Sequence, residues 1–336
     1  MSDQAKTTPS SDPIVVDDPY KRLEITLNPD GSLTRNPNRF PNTSATPDPD
    51  QTVPVLSKDI TINQSKHTWV RIFLPRQQVL DTSLGTNKLP VIVYYHGGGF
   101  IHCSASTTGF HVFCSNMALQ LQAIIISVDY RLSPEHRLPA AYDDAMEVLC
   151  WIKTTEDEWL KQYMDFNACF LMGTSAGGNI AYHAGIRAAE EADELEPLKI
   201  QGLILHQPFL GGSSKVESEL RLVNDPVLPP GVSDLMWELA LPIGADRDHE
   251  YCNLTAGKGP KLLEKLASVG WRVLVTGCDG DPLIDRQVGL VKLMEEKGVQ
   301  VVSHFRVGDH HGVDVMQPAK AEALFLVLKD FISSAS

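Results

Sequence analysis

The chain has 336 residues, of which 43% are hydrophobic and 21% charged, with a net charge of −13. That composition supplies a sizeable core, and a length suggesting roughly two domains also fits a single α/β enzyme domain. The acidic balance, with no concentrated Lys or Arg, argues against nucleic acid and against an anionic membrane surface as partners.

Residues 1–18 are rich in Ser, Thr, Pro and Asp and read as loosely draped chain. Their first residues hold no apolar run of the kind a secretory signal needs, and no stretch approaches membrane-spanning length. The six cysteines, at 103, 114, 150, 169, 252 and 278, include no Cys-x-x-Cys pair, so zinc and thioredoxin chemistry are unsupported and no metal is expected. A reduced, cytoplasmic setting follows. We expect a monomer.

Residues 23–27 and 32–34 flank Pro29-Asp30-Gly31, a turn sequence, and predict a small hairpin. Residues 36–54 carry many prolines and no period. Together, residues 1–55 read as an N-terminal arm that either lies over a site or covers an edge, with plain surface packing the favoured reading. The pattern changes near 56. Residues 58–63 and 68–74 alternate like a second hairpin. Apolar runs of strand length follow at 91–95, 123–128, 170–172, 202–205, 273–276 and 301–305. Helical stretches at 109–120, 142–154, 179–194, 285–297 and 319–332 separate most of them. This alternation predicts an α/β fold over 56–336, a mainly parallel sheet covered on both faces. Residues 211–245 interrupt it with a Pro-rich turn and an apolar helix at 235–241, a connection long enough to be a lid or binding loop. Leu235, Met236, Trp237 and Leu241 are candidates to line an acyl pocket, although plain packing of an inserted helix explains each of them as well.

Two glycine motifs carry the chemistry. Gly173-Thr174-Ser175-Ala176-Gly177 lies between an apolar run and a helical stretch. Strand, Gly-flanked turn and helix form the context of a nucleophile elbow, which makes Ser175 a candidate nucleophile. His96-Gly97-Gly98-Gly99 follows the strand at 91–95. There, free N–H groups of Gly97 and Gly98, with that of Ala176, suit an oxyanion hole. Gly-x-Ser-x-Gly arises by chance in roughly 0.1 of chains this long, and His-Gly-Gly-Gly in well under ~0.01, so the second loop carries more weight. Neither Gly-rich phosphate-binding pattern is present.

Downstream, Asp279, Asp281 and Asp285 follow the strand at 273–276, and His310 and His311 follow that at 301–305. An acid and a base thus sit past strand ends, in the order Ser, Asp, His. From placement alone, either histidine and any of the three aspartates qualifies. Asp285 has a structural alternative as a helix cap. Asn179 is placed to bond near the elbow, but is better explained as a first-turn helix residue.

On His96–Phe100, residues 129–136, Gly173–Asn179, Asp281-Pro282-Leu283 and His311-Gly312, the chain resembles carboxylesterases of the hormone-sensitive-lipase-like group, most closely those of plants. The resemblance covers about 55–335. It implies an α/β-hydrolase fold and the triad Ser175, Asp281 and His311, with the oxyanion loop at Gly97 and Gly98. It also implies a cap from the arm and the insertion, a small ester as substrate and no cofactor. Thr174 stands where many relatives have Asp, and Val313 where Phe is common. Residues 129–141, including Asp129, Tyr130, Arg131 and Glu135, are expected to form a buried polar network behind the site. Two other readings remain open: a gibberellin-receptor-like binding protein, which would lack the catalytic His, and an enzyme similar to hydroxyisoflavanone dehydratases.

Overall fold

The computed structural model describes residues 18–80, 88–257 and 259–334. The draped segment expected at 1–18 lies, apart from Asp18, outside the described residues. Asp18 caps a one-turn helix, Pro19–Leu23, by accepting from the Tyr20 N–H. The expected small hairpin follows as β1 (Ile25–Leu27) paired antiparallel with β2 (Leu33–Arg35).

The main sheet has eight strands: β3 (Val55–Asn63), β4 (Thr68–Pro75), β5 (Leu89–Tyr95), β6 (Ile124–Asp129), β7 (Met164–Thr174), β8 (Ile200–His206), β9 (Arg272–Cys278) and β10 (Gln300–Arg306). Their spatial order is β10-β9-β8-β7-β5-β6-β4-β3. β3 with β4 and β4 with β6 are antiparallel, and the rest are parallel. The inner strands β5, β6, β8 and β9 are buried on both faces, which is why they read as unbroken apolar runs, while β10, at the sheet edge, is exposed or half-exposed along its length. Val91, Val93 and Tyr95 face one apolar cluster, while Ile92 and Tyr94 face the other.

Helices Ala140–Thr154, Ala176–Glu190, Gly259–Val269 and Ile284–Glu296 cover the first face, and Thr108–Leu121 and Pro318–Ser333 the second. In Thr108–Leu121 the buried residues are Phe110, Phe113, Cys114, Met117, Ala118 and Leu121, the spacing of a single helix face. Truncating Phe113 to Ala removes a ring packed on Tyr94 and Phe325 and should cost about 3–5 kcal/mol.

Some elements differ from expectation. β7 begins six residues before 170, because its first half, Met164-Asp165-Phe166-Asn167-Ala168, alternates apolar with polar residues and forms no apolar run. The helix expected at 179–194 starts at Ala176, directly after Ser175, and ends at Glu190, followed by a separate 3-10 turn at Ala192–Leu195. Helices Glu158–Tyr163 and Gly259–Val269 were not anticipated. Among the described residues no helix is long and apolar enough to cross a membrane.

Successive strands β5 and β6 are neighbours, but the next strand, β7, lies on the other side of β5. The connections therefore diverge at the carboxyl end of β5, the place where open α/β sheets leave a crevice. The loops after β5, β7, β9 and β10 carry the motifs singled out above. The arm and the insertion meet beside them. Helix Pro19–Leu23 packs on helix Pro230–Ala240, and Arg22 donates to the carbonyls of Asp225 and Pro226 at 2.9 and 2.8 Å.

Candidate active site

The elbow is a backbone device. Ser175 sits between β7 and helix Ala176–Glu190 at φ 57°, ψ −118°. A side chain costs about 1–3 kcal/mol in such a region, so the surroundings must hold it there. The Ser175 N–H donates to the His206 carbonyl at 3.0 Å, and the Ser175 carbonyl accepts from Asn179 and Phe209 at 3.1 and 2.9 Å. The flanking glycines are required by contact. A Cβ on Gly173 would lie 1.9 Å from the Gly177 carbonyl oxygen, and one on Gly177 would lie 1.8 Å from that of Tyr95.

The Ser175 hydroxyl lies 2.8 Å from His311 Nε2, and His311 Nδ1 lies 2.8 Å from Asp281 Oδ2. Asp281 is fully buried. Its second oxygen accepts from the Leu283 N–H at 2.9 Å, and Oδ2 also accepts from Gln287 Nε2 at 3.0 Å. Burial disfavours the charged form of His311, but the Asp281 carboxylate and its hydrogen bond outweigh this and hold the imidazole pKa above its usual 6.5. An imidazole so placed takes a proton readily and keeps a defined tautomer, with Nδ1–H toward the carboxylate.

The alternatives fall elsewhere. His310 turns its Nδ1 toward the His311 carbonyl at 3.0 Å. Asp279 is exposed and accepts from the Gly308 N–H at 2.6 Å, stapling the acid loop to the base loop. Asp285 accepts from the Ser218 N–H at 2.7 Å. Thr174 receives a 2.8 Å hydrogen bond from the buried Tyr94 hydroxyl, which leaves the Ser175 hydroxyl to His311. Val313 is buried directly behind Gly312.

Gly97 sits against Ser175: a Cβ there would lie 3.4 Å from that of Ser175. Gly98 and Gly99 take φ 116° and 62°, which glycine alone adopts without strain. No acceptor among the described residues takes the N–H of Gly97 or Gly98. The Ala176 N–H, in the first turn of its helix, has no intrahelical partner. Gly97 and Gly98 line the same cleft as Ser175, and Ala176 follows it directly in the chain. His96 buttresses this loop, stacked on Tyr130 at 4.3 Å, with its carbonyl accepting from the Tyr130 hydroxyl at 2.8 Å. Burial lowers the His96 pKa to about 4, so it stays neutral.

The expected network over 129–141 divides into separate ties. Asp129 accepts from the Ala105 N–H at 2.8 Å, and burial raises its pKa to about 6. Arg131 pairs with Asp144 at 2.7 Å. Glu135 binds Arg35 at 2.7 Å and the Leu33 N–H at 2.8 Å, anchoring the arm. Asn179 is a buried tie rather than a plain helix residue. It accepts from the Tyr142 hydroxyl at 2.7 Å and donates to the carbonyls of Phe209 and Tyr251.

A cleft of about 720 Å³ opens over Ser175 and His311. Its walls are mostly apolar and come from the arm (Leu23, Phe40, Pro41), the insertion (Val227, Leu228, Met236) and the scaffold (Phe110, Val315, Met316). Of the pocket residues expected from the insertion, only Met236 lines it. Leu235 and Leu241 are core, and Trp237 lies flat on Phe209 at 4.7 Å and against Phe100 at 5.4 Å. A helix has two apolar sides here, and the sequence does not say which one faces the cleft. Among the described residues, no group of three His, Cys, Asp or Glu side chains is arranged to hold a metal ion.

Two residues beside the site carried no sequence signal. Gln287 is the second side-chain partner of Asp281, and Gln207, at the end of β8, contacts the base loop.

A family model for the alpha/beta hydrolase fold matches residues 92–315. Carboxylesterase 20 of Arabidopsis thaliana is 53% identical over 324 residues, covering 96% of this chain and 99% of the relative. A 3-O-acetylpapaveroxine carboxylesterase of Papaver somniferum is 47% identical, covering 94% and 99%. A hyperthermophilic esterase from Pyrobaculum calidifontis superposes with a TM-score of 0.67 at 27% identity, covering 83% of this chain and 85% of that one. With this fold, this site and these relatives, the chain belongs to the α/β-hydrolase family, among the plant carboxylesterases.

Proposed function

We propose that the protein hydrolyses small carboxylic esters through Ser175, His311 and Asp281. The observation that carries this is one imidazole bridging a serine hydroxyl and a buried carboxylate, each at 2.8 Å, beside free glycine N–H groups. His311 Nε2 takes the Ser175 proton as the oxygen attacks the ester carbonyl. The carbonyl π electrons move onto its oxygen, which the N–H groups of Gly97, Gly98 and Ala176 receive. The C–O bond to the alcohol breaks, and the leaving oxygen takes the proton from Nε2. Water then repeats the sequence on the acyl-enzyme: His311 accepts its proton, the tetrahedral centre collapses, and Ser175 regains a proton as the acid leaves. Asp281 stays ionised and stabilises the imidazolium in both halves. No cofactor enters this scheme.

The cleft volume falls within the ~300–1,000 Å³ usual for small-molecule sites, which favours a compact ester over an emulsified lipid. The arm and residues 211–245 form its cap in this reading, since both supply cleft wall and join through Arg22. A receptor-like role is disfavoured by the base being present and aligned.

Turnover of p-nitrophenyl acetate and butyrate by wild type and Ser175→Ala tests the proposal. The variant should lose about 10⁴-fold or more in kcat. Full activity in Ser175→Ala, or a strong preference for long emulsified esters, would remove it.

A further inference from the structure

The geometry of β8 and the base loop points to a residue outside the triad. Gln207 is completely buried and has φ 45°, a left-handed conformation unfavourable for a residue with a side chain. Its backbone N–H donates to the Thr276 carbonyl of β9 at 2.7 Å, which fixes it to the sheet. Its side chain then reaches the loop after β10. Oε1 accepts from the Gly312 N–H at 2.7 Å, and Nε2 donates to the His310 carbonyl at 3.3 Å. Nε2 also lies 3.2 Å from Cys278 Sγ. The amide can face only one way, because Gly312 offers a donor and His310 an acceptor.

We propose that Gln207 is the positioning residue for the base: its amide bridges the peptide groups on either side of His311 and aims the imidazole between Ser175 and Asp281. The loop otherwise turns sharply, with Asp309 and Gly312 both at positive φ. Asp281 directs the ring through Nδ1 only, so the loop backbone must set where Nε2 falls. A shift of about 1 Å in such a group can cost on the order of 10²-fold in rate.

The proposal rests on His311 acting as the base, and the test separates the two. Wild type, Gln207→Leu and Gln207→Glu are titrated for reactive serine with a fluorophosphonate, and kcat and KM are measured per titrated site across pH. A wild type that takes no label removes the base reading itself. With wild type labelled, Gln207→Leu should lose roughly 10- to 100-fold in kcat per site, with KM within about twofold. Gln207→Glu can donate to the His310 carbonyl only while protonated. Its kcat relative to wild type should therefore be highest at low pH and fall as pH rises. A merely structural role would reduce melting temperature and the number of titratable sites, but not turnover per site. Unchanged kcat per site in both variants at every pH overturns the proposal. If neither variant folds, amide exchange in the native chain decides: Gly312 should exchange slowly, and exchange at the rate of an open loop amide overturns it.

Discussion

The Ser175 side of the cleft is held by close backbone contacts, and the arm side by side-chain ties with one short backbone bridge, Asn42 to Thr107. On the first, Gly173 and Gly177 permit carbonyl contacts that no other residue tolerates, and the Ser175 peptide is bonded in both directions. On the second, the arm rests on the Arg35–Glu135 pair, whose side chains are 24% and 30% exposed, on packing of helix Pro19–Leu23 against helix Pro230–Ala240, and on backbone bonds of Pro41 and Thr43 to Thr108 and Ser106. The elbow that carries Ser175 is built from the stiffer material. The cleft walls on the arm side are built from parts that can be exchanged without disturbing the sheet.

The largest expected effect comes from the backbone-held side. Asp281→Asn removes the carboxylate that orients His311 and should lower kcat by about 10⁴-fold. The sign of its pH effect is fixed as well. In wild type the His311 pKa lies above 6.5, so kcat/KM should fall as pH drops through a value above 6.5. Without Asp281, burial becomes the leading influence on His311, and the acid limb of the residual activity should move to lower pH. Gly177→Ala comes next. Its Cβ would force the elbow away from Tyr95, and we expect about 1–3 kcal/mol of lost stability with a rate loss on the order of 10²-fold. If this variant melts and turns over like wild type, the elbow is not held by contact.

Smaller effects belong to the other side. The Met236 thioether sits where a Gly99 Cβ would be, 2.2 Å from that position, and borders the cleft. Met236→Ala should raise kcat/KM for longer acyl chains relative to acetyl by roughly tenfold, and an unchanged acyl profile would show that Met236 does not set chain length. Glu135→Ala should cost about 1 kcal/mol or less in a partly exposed pair, raising KM and leaving kcat unchanged. Burial alone would raise the Glu135 pKa, but Arg35 and the Leu33 N–H hold it below 4.5. Its contribution is therefore present above pH 4.5 and lost as pH falls through the folded-state value. A kcat loss as large as that of Gly177→Ala would erase the contrast between the two sides.

The same contrast explains what the sequence made legible. Ser175, Gly97, Gly98 and Ala176 stand in local motifs because their geometry is local: strand, glycine turn, helix. Asp281 and His311 were placed to within two or three candidates by their strand ends and chosen by resemblance, and the hydrogen bonds at 2.8 Å fall on that choice. The strands of the parallel sheet were readable from apolar runs, except where β7 begins with alternating apolar and polar residues. Gln207, Gln287 and the inward side of helix Pro230–Ala240 were not readable. Gln207 and the helix side depend on contacts between segments far apart in the chain, 105 residues apart for Gln207 and Gly312, while Gln287 meets Asp281 six residues away across the loop that opens its helix. No period or motif records such pairs.

The most direct measurement is the site and rate of covalent modification by a fluorophosphonate, followed by mass spectrometry in wild type and His311→Ala. Label confined to Ser175, with a rate rising with pH through a value above 6.5 in wild type and reduced by orders of magnitude in His311→Ala, is the expected result. Label on another residue, or the same rate in both proteins, would contradict the assignment of Ser175 as a nucleophile activated by His311.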